Sequence, residues 1–274
     1  MRKTIVITGA SDGIGAAAAR RLHANGHAVV VVGRSAEKTR HVATAIDSPY
    51  FVADFASLAA VRELAAALLD RFDTIDVLAN NAGGVFGDRQ KTEDGFEKTF
   101  QVNHLAPFLL TDLLLPTLIR SKATVIQTAS IAARLYGKVD VSDLNNDRRF
   151  SANKAYGDSK LENILFTTEL HRRYHPQGIN AVAFHPGLVE SSFASTTTSL
   201  SMKMLYANPF TKRMLVTSEQ GADQLVWLSE TMPGSAWQSG SYLEKRSIAT
   251  RVNPQVRDEQ LGRDLWAVSE KITR

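Results

Sequence analysis

Short runs of apolar, mostly β-branched residues recur along this chain and alternate with longer stretches whose apolar positions fall three or four apart. The short runs, at 4–8, 28–32, 50–53, 77–80, 124–128, 180–184 and 241–243, are continuously hydrophobic rather than alternating. That pattern predicts strands buried on both faces of a sheet. The longer stretches, at 16–24, 57–72, 96–119, 156–174 and 218–228, carry their apolar residues at helical spacing. A closing helix is predicted from about Pro254, a residue suited to a first helical turn, to Lys271. Regular alternation of this kind predicts an α/β fold, a doubly wound parallel β-sheet of about seven strands with helices on both faces. One such domain accounts for residues 1–274.

Two stretches break the rhythm. Residues 135–153 are polar, with Asp140, Asp143, Asn145, Asn146, Asp147, Arg148 and Arg149. Residues 191–217 are rich in Ser and Thr yet carry Phe193, Met202, Met204, Leu205, Tyr206, Phe210 and Met214. Long irregular segments after strands are often functional, and this second one has the composition of a lid over an apolar substrate. A peripheral-membrane or subunit contact fits the same residues.

Composition narrows the classes. With 44% hydrophobic and 22% charged residues among 274, the chain has ample material for a buried core. Its net charge is +4, but the basic residues are scattered rather than blocked, which argues against a nucleic-acid partner. Cysteine is absent, which excludes disulfides, thiol catalysis and thiolate metal sites and fits a reducing cytoplasm. Met1-Arg2-Lys3 followed by Thr4-Ile5-Val6-Ile7 begins like a signal peptide, but the apolar run stops at Thr8-Gly9. No segment is expected to reach the ~20 apolar residues that span a bilayer, so a soluble protein without a transmembrane segment is expected.

The candidate chemistry starts with Tyr156 and Lys160, which share one face of the 156–174 helix at i and i+4. A free phenol has a pKa of about 10, and bringing it near 7 takes about 3 units, or roughly 4 kcal/mol. One positive charge at about 4 Å in an effective dielectric of 20 supplies about that much. The pair is therefore a sufficient acid/base device, though this spacing also arises by chance on solvated helices.

The first strand runs into Thr8-Gly9-Ala10-Ser11-Asp12-Gly13-Ile14-Gly15 and then an alanine-rich helix. A strand–turn–helix of this form aims backbone N–H groups and a helix dipole at a pyrophosphate, as in Rossmann-type domains. Gly9 suits the tight turn, Gly13 close approach of a cofactor, and Gly15 close helix–sheet packing. The glycines are not spaced as G-x-G-x-x-G, so a turn that merely relieves sterics is the competing reading. Arg34, after the second strand, offers charge-assisted donors to a 2′-phosphate, which favours NADP(H) over NAD(H). The alternative is a solvated arginine opening the next helix. Asp54 can accept from an adenine amino group, with Phe55 supplying neighbouring backbone, or can cap the helix near Ser57.

Strand four ends in Asn80-Asn81-Ala82-Gly83 and strand five in Thr128-Ala129-Ser130. Together with the glycine turn, Asn103 and Tyr156/Lys160, these motifs resemble the short-chain dehydrogenase/reductase family. The resemblance continues in His185-Pro186-Gly187-Leu188-Val189 and in Glu219-Gln220-Gly221-Ala222. The stretches 102–111, 159–166 and 265–270 look like its retinol-dehydrogenase-like branch.

The resemblance implies an oxidoreductase that interconverts an alcohol and a carbonyl, on a small lipophilic substrate, with NADP(H). Tyr156 is then the proton donor, Ser130 the hydrogen-bonding partner of the carbonyl oxygen, and Lys160 the neighbour of Tyr156 that also holds the nicotinamide ribose. Asn103 is expected to kink its helix and hold a water linking Lys160 to solvent; asparagine is otherwise unfavourable in mid-helix. Ser11, Asp12, Ile14, Ala82, Pro186 and Ser191 join the cofactor-binding set. Asn81 and Gly83 are expected on the adenosine side, and the Val189 backbone at the carboxamide. Pairing of subunits through the helices near 96–119 and 156–174, as a homodimer or homotetramer, is implied by analogy only.

Other readings stay open: an NADP(H)-sensing protein without turnover, an enoyl reductase, or a sugar-nucleotide epimerase, for which about 85 residues after Val189 leave little room. His104 and His185 lack companion ligands at metal-binding spacing, and Trp227 and Trp266 are expected in the core.

Overall fold

The structure is a computed structural model that describes residues 1–189 and 215–274. The predicted strands form one sheet: β1 (Thr4–Thr8), β2 (Ala28–Gly33), β3 (Tyr50–Val52), β4 (Val77–Asn80), β5 (Thr124–Thr128), β6 (Asn180–His185) and β7 (Ser241–Glu244). They run in the order β3-β2-β1-β4-β5-β6-β7, all parallel. The sequence reading missed an eighth strand, β8 (Ser247–Ile248), which pairs antiparallel to β7. Two residues are too few to carry a hydrophobic pattern.

The strand order turns back at β1, which sits between β2 and β4. In open sheets of this type the crevice at such a reversal lies above the strands' carboxyl ends and receives ligands.

Helices cover both faces. On one face, Ile5, Ile7, Val29 and Val31 pack with α1 (Gly13–Ala24) and α8 (Ser218–Glu230). On the other, Val6, Val30 and Leu78 pack with α3 (Leu58–Arg71), α5 (Ala106–Arg120) and α7 (Ala152–Tyr174). Helix α2 (Ala36–Ala45) had no place among the predicted helical stretches because it is mostly polar and buries only Thr39, Val42 and Ala43. A closing helix, α9 (Glu259–Thr273), packs over α7 and α5. It starts later than predicted, since Pro254–Arg257 form a separate 3-10 turn. Trp266 lies there, 4% exposed, with its ring stacked on Phe166 at 5.5 Å. Trp227 is only half-buried, a departure from the expected core position.

Caps follow elementary chemistry. Ser57, not Asp54, caps α3. Thr217 and Gln220 form a reciprocal capping box at α8.

The stretch Lys98–Arg120 corrects the expectation that no segment is long and apolar enough for a bilayer, for its 23 residues pass on both counts. Its apolar window is 72% buried among the domain's own side chains, so here it serves as a core element. It is also irregular. A short α4 (Lys98–Phe100) leads into a π-helical turn, Gln101–Leu105, before α5 begins.

Candidate active site

The carboxyl ends of β1, β4 and β5 are tied together by two side chains. Thr8 Oγ1 accepts from the N–H groups of Asn81 and Ala82, each at 3.0 Å, and donates to Ala79 O. Asn81 Nδ2 donates to Thr8 O at 3.0 Å, and its Oδ1 accepts from Thr128 Oγ1 at 3.3 Å. Asn81 therefore holds the floor of the crevice.

The glycine turn is built as its residue types demand. Gly9 and Gly13 have φ of 65° and 55°, where a side chain would be strained. A Cβ on Gly15 would lie 2.4 Å from Gly9 O, so α1 can approach the sheet only with glycine there. Asp12 caps α1 by accepting from Gly13 N at 2.7 Å. The α1 N-terminus thus opens onto the crevice beside β1, a cradle suited to a dinucleotide's phosphates.

Sequence reasoning did not single out Lys38, whose Nζ pairs with Asp12 Oδ2 at 3.2 Å across the mouth of this turn. Its signal was position, one helical turn after Arg34. Arg34 is exposed at the end of β2, and a polar surface cavity runs past Ser11, Asp12, Gly13, Arg20, Lys38 and Arg40. Ser11 packs against Gly33, and Ile14 against Gly221. Asp54 is exposed and forms a local turn by accepting from Ala56 N; Phe55 is buried.

Four catalytic candidates meet at the end of β5. Lys160 donates to Thr128 O at 2.8 Å, and its ammonium lies 5.7 Å from the centre of the Tyr156 ring. Burial pushes its pKa down from 10.5 to about 8. Tyr156 is half-buried. Ser130 Oγ accepts from Ala132 N at 3.2 Å, at the entry to α6 (Ala132–Leu135).

Asn103 lies within the π-helical turn, which is the distortion its mid-helix position predicted. Its Oδ1 accepts from Gly84 N at 2.8 Å, while Nδ2 donates to Gly84 O at 2.9 Å and to Ser159 Oγ at 3.0 Å. Its backbone carbonyl accepts from Asn163 Nδ2 at 3.0 Å. Ser159 and Asn163, flanking Lys160 on α7, thus lock the π-turn to α7, and sequence reasoning had assigned them no task.

A Cβ on Gly83 would meet Asn103 Oδ1 at 3.0 Å and Lys160 Nζ at 3.2 Å, so Gly83 lies beside the Lys160 ammonium. Pro186 and Gly187 follow β6, and Val189 bridges to Val216. Ser191 and most of the proposed lid lie outside the described residues. His104 is a core residue whose Nε2 lies 3.1 Å from Ser269 Oγ, and burial lowers its pKa to about 4. Among the described residues no cluster of His, Asp and Glu is placed to hold a metal ion.

Residues 3–200 match the family model of short chain dehydrogenases. The chain is 42% identical over 274 residues to DnrU of Streptomyces sp. (strain C5), a candidate daunorubicin C-13 ketoreductase, covering 97% of this chain and 91% of that one. Identity to Homo sapiens retinol dehydrogenase 13 is 34% over 292 residues, covering 98% and 84%. Among solved structures, the Pseudomonas aeruginosa RhlG/NADP active-site complex is similar with a TM-score of 0.69 at 26% identity, covering 88% of this chain and 93% of that one.

Proposed function

This chain belongs to the short-chain dehydrogenase family, in its retinol-dehydrogenase-like branch, and from that membership we propose that it reduces or oxidises a lipophilic carbonyl/alcohol pair with NADP(H). The observation that carries the reading is the convergence of Ser130, Tyr156 and a buried Lys160 at the end of β5, beside the crevice that the glycine turn opens. When bound, the nicotinamide supplies or takes the hydride.

The chain's own groups handle the proton. Tyr156 O–H gives its proton to the carbonyl oxygen as negative charge develops there. Ser130 Oγ already accepts from Ala132 N, which leaves its O–H to donate to the same oxygen. The phenolate left on Tyr156 is steadied by the Lys160 ammonium, and Asn103 keeps that helix in register through Ser159. In the reverse direction Tyr156 takes the proton from the alcohol.

Preference for the 2′-phosphorylated cofactor is supported by Arg34, exposed just after β2, and by Lys38 on α2, which lines a surface cavity together with Arg20 and Arg40. An apolar substrate is supported by Leu135 and Tyr136, large exposed side chains that follow Ser130 on α6 and just beyond it. Helix α9 covers part of α5 and α7, the helices expected to pair subunits, and this cover supports a single chain as the working unit. Work in the cytoplasm rests on composition alone.

The test is NADPH oxidation with a panel of lipophilic aldehydes and ketones. Tyr156→Phe is expected to lower kcat about 10²–10⁴-fold while NADPH binding, followed by fluorescence titration, stays within the same range. Arg34→Asp is expected to raise the KM for NADPH about tenfold or more and to spare NADH. Equal loss of turnover and cofactor binding in Tyr156→Phe would make Tyr156 a structural residue.

A further inference from the structure

The carboxyl ends of β6 and β7 carry polar side chains that the proton chemistry above does not use. Ala183 pairs with Tyr242 and His185 with Glu244 in the β6–β7 ladder. Ala183 and Tyr242 belong to the core on the α7 side of the sheet. Side chains two apart on a strand share a face, so His185 and Glu244 point the same way. That is the face over which α7 holds Tyr156, and Tyr242 lies within its electrostatic reach. One strand over, Ala129 N donates to Phe184 O at 2.8 Å, which sets Ala129 beside His185, with Ser130 the next residue along the chain. Arg134, on α6, acts electrostatically on both His185 and Tyr242. Four polar side chains therefore gather at the carboxyl ends of β6 and β7, on the side of the sheet that Tyr156 occupies.

Their hydrogen bonding is incomplete. Tyr242 donates its hydroxyl to Glu244 Oε1 at 3.3 Å. His185 Nδ1 is buried and has no partner among the described residues. Burial lowers the His185 pKa; Glu244 opposes the shift and Arg134 adds to it. The ring is thus neutral at neutral pH, with one nitrogen a donor and the other an acceptor. Arg134 contributes donors from an exposed position, and Glu244 contributes acceptors.

A hydroxyl group meets this set, because it donates and accepts at one atom. A plain hydrocarbon carbonyl would strip water from His185 and Glu244 without replacing its bonds. Leu135 and Tyr136, exposed next to Arg134, suit the apolar remainder of such a molecule. We propose that His185, Tyr242, Glu244 and Arg134 form a substrate subsite, and that the carbonyl compound this enzyme handles carries a hydroxyl group that docks there. The subsite rests on the oxidoreductase reading given above.

The experiment compares 1-tetralone with hydroxytetralones bearing the hydroxyl at each ring position, with NADPH, in the wild type, His185→Phe and Glu244→Gln. At least one hydroxylated member is expected to show a kcat/KM about tenfold or more above the parent, chiefly through KM. In both variants that preference is expected to shrink to about twofold or less. NADPH titration of each variant reports a folded cofactor site, and the wild-type preference decides the matter should a variant not fold. Tetralones reduced without preference, or a preference that survives both substitutions, would overturn the subsite and leave the oxidoreductase reading standing. No turnover of any tetralone, other ketone or aldehyde would overturn both.

Discussion

The ammonium of Lys160 stands 5.7 Å from the centre of the Tyr156 ring while it donates to the Thr128 carbonyl at 2.8 Å. Its pKa, held near 8 by burial, gives the site a pH dependence with a definite sign. Lys160 is charged below about pH 8 and neutral above, whereas in the unfolded chain it stays charged to about 10.5. Carbonyl reduction needs the cation beside the phenolate that forms, so kcat for reduction is expected to fall as pH rises through about 8. A kcat–pH profile that stays flat from pH 7 to 9 would count against this role for Lys160.

The same shift bears on stability. The burial cost of the charge is present in full below about pH 8 and fades between about 8 and 10.5, because only there does the unfolded chain hold the extra proton. Lys160→Met is therefore expected to be inactive yet more stable than the wild type at pH 7, by about 1–3 kcal/mol, read from urea unfolding midpoints.

Asn103→Leu removes both amide bonds to Gly84 and the one to Ser159, all buried. Leaving those partners unpaired is expected to cost about 2–4 kcal/mol and to lower kcat more than it raises KM. Chemical denaturation and initial rates measure the two effects separately.

Gly15→Ala places a methyl group 2.4 Å from Gly9 O and 2.7 Å from Asn81 Nδ2. Backbone must move to admit it, so a loss of about 1–3 kcal/mol in stability is expected. The glycine turn moves with it, and NADPH binding measured by fluorescence should weaken. Unchanged affinity would mean that the turn does not form the cofactor cradle.

Trp266→Ala empties the pocket between Phe108 and Phe166, whose rings lie 5.0 Å and 5.5 Å away, and releases Arg173 from its place over the indole. A loss of about 3–5 kcal/mol is expected. Because α9 is then held less firmly over α5 and α7, sedimentation is expected to show more self-association than in the wild type.

Local interactions made most of the fold legible along the chain. Continuous apolar runs foretold seven of the eight strands, since a strand buried on both faces has no polar side to show. Tyr156 and Lys160 were legible together because four residues are one helical turn. The distortion at Asn103 was also foreseeable, as asparagine in mid-helix competes with the helix's own bonds. Helix α2 and β8 escaped notice because neither carries enough buried residues to set up a period.

Only the tertiary structure decided which distant groups stand together. The link from Asn103 to Ser159 spans 56 positions, and the ladder partners His185 and Glu244 are farther apart still. The placement of Gly83 beside Lys160 and of Lys38 over the glycine turn is equally a product of strand order. Sequence by itself determined most of the elements and the Tyr156/Lys160 pair, because backbone periodicity and i, i+4 spacing are properties of neighbours; the reaction class was legible only through the family its motifs resemble. Packing determined the lock on the catalytic helix and the polar recess beside it, because sheet register joins residues that share no local pattern.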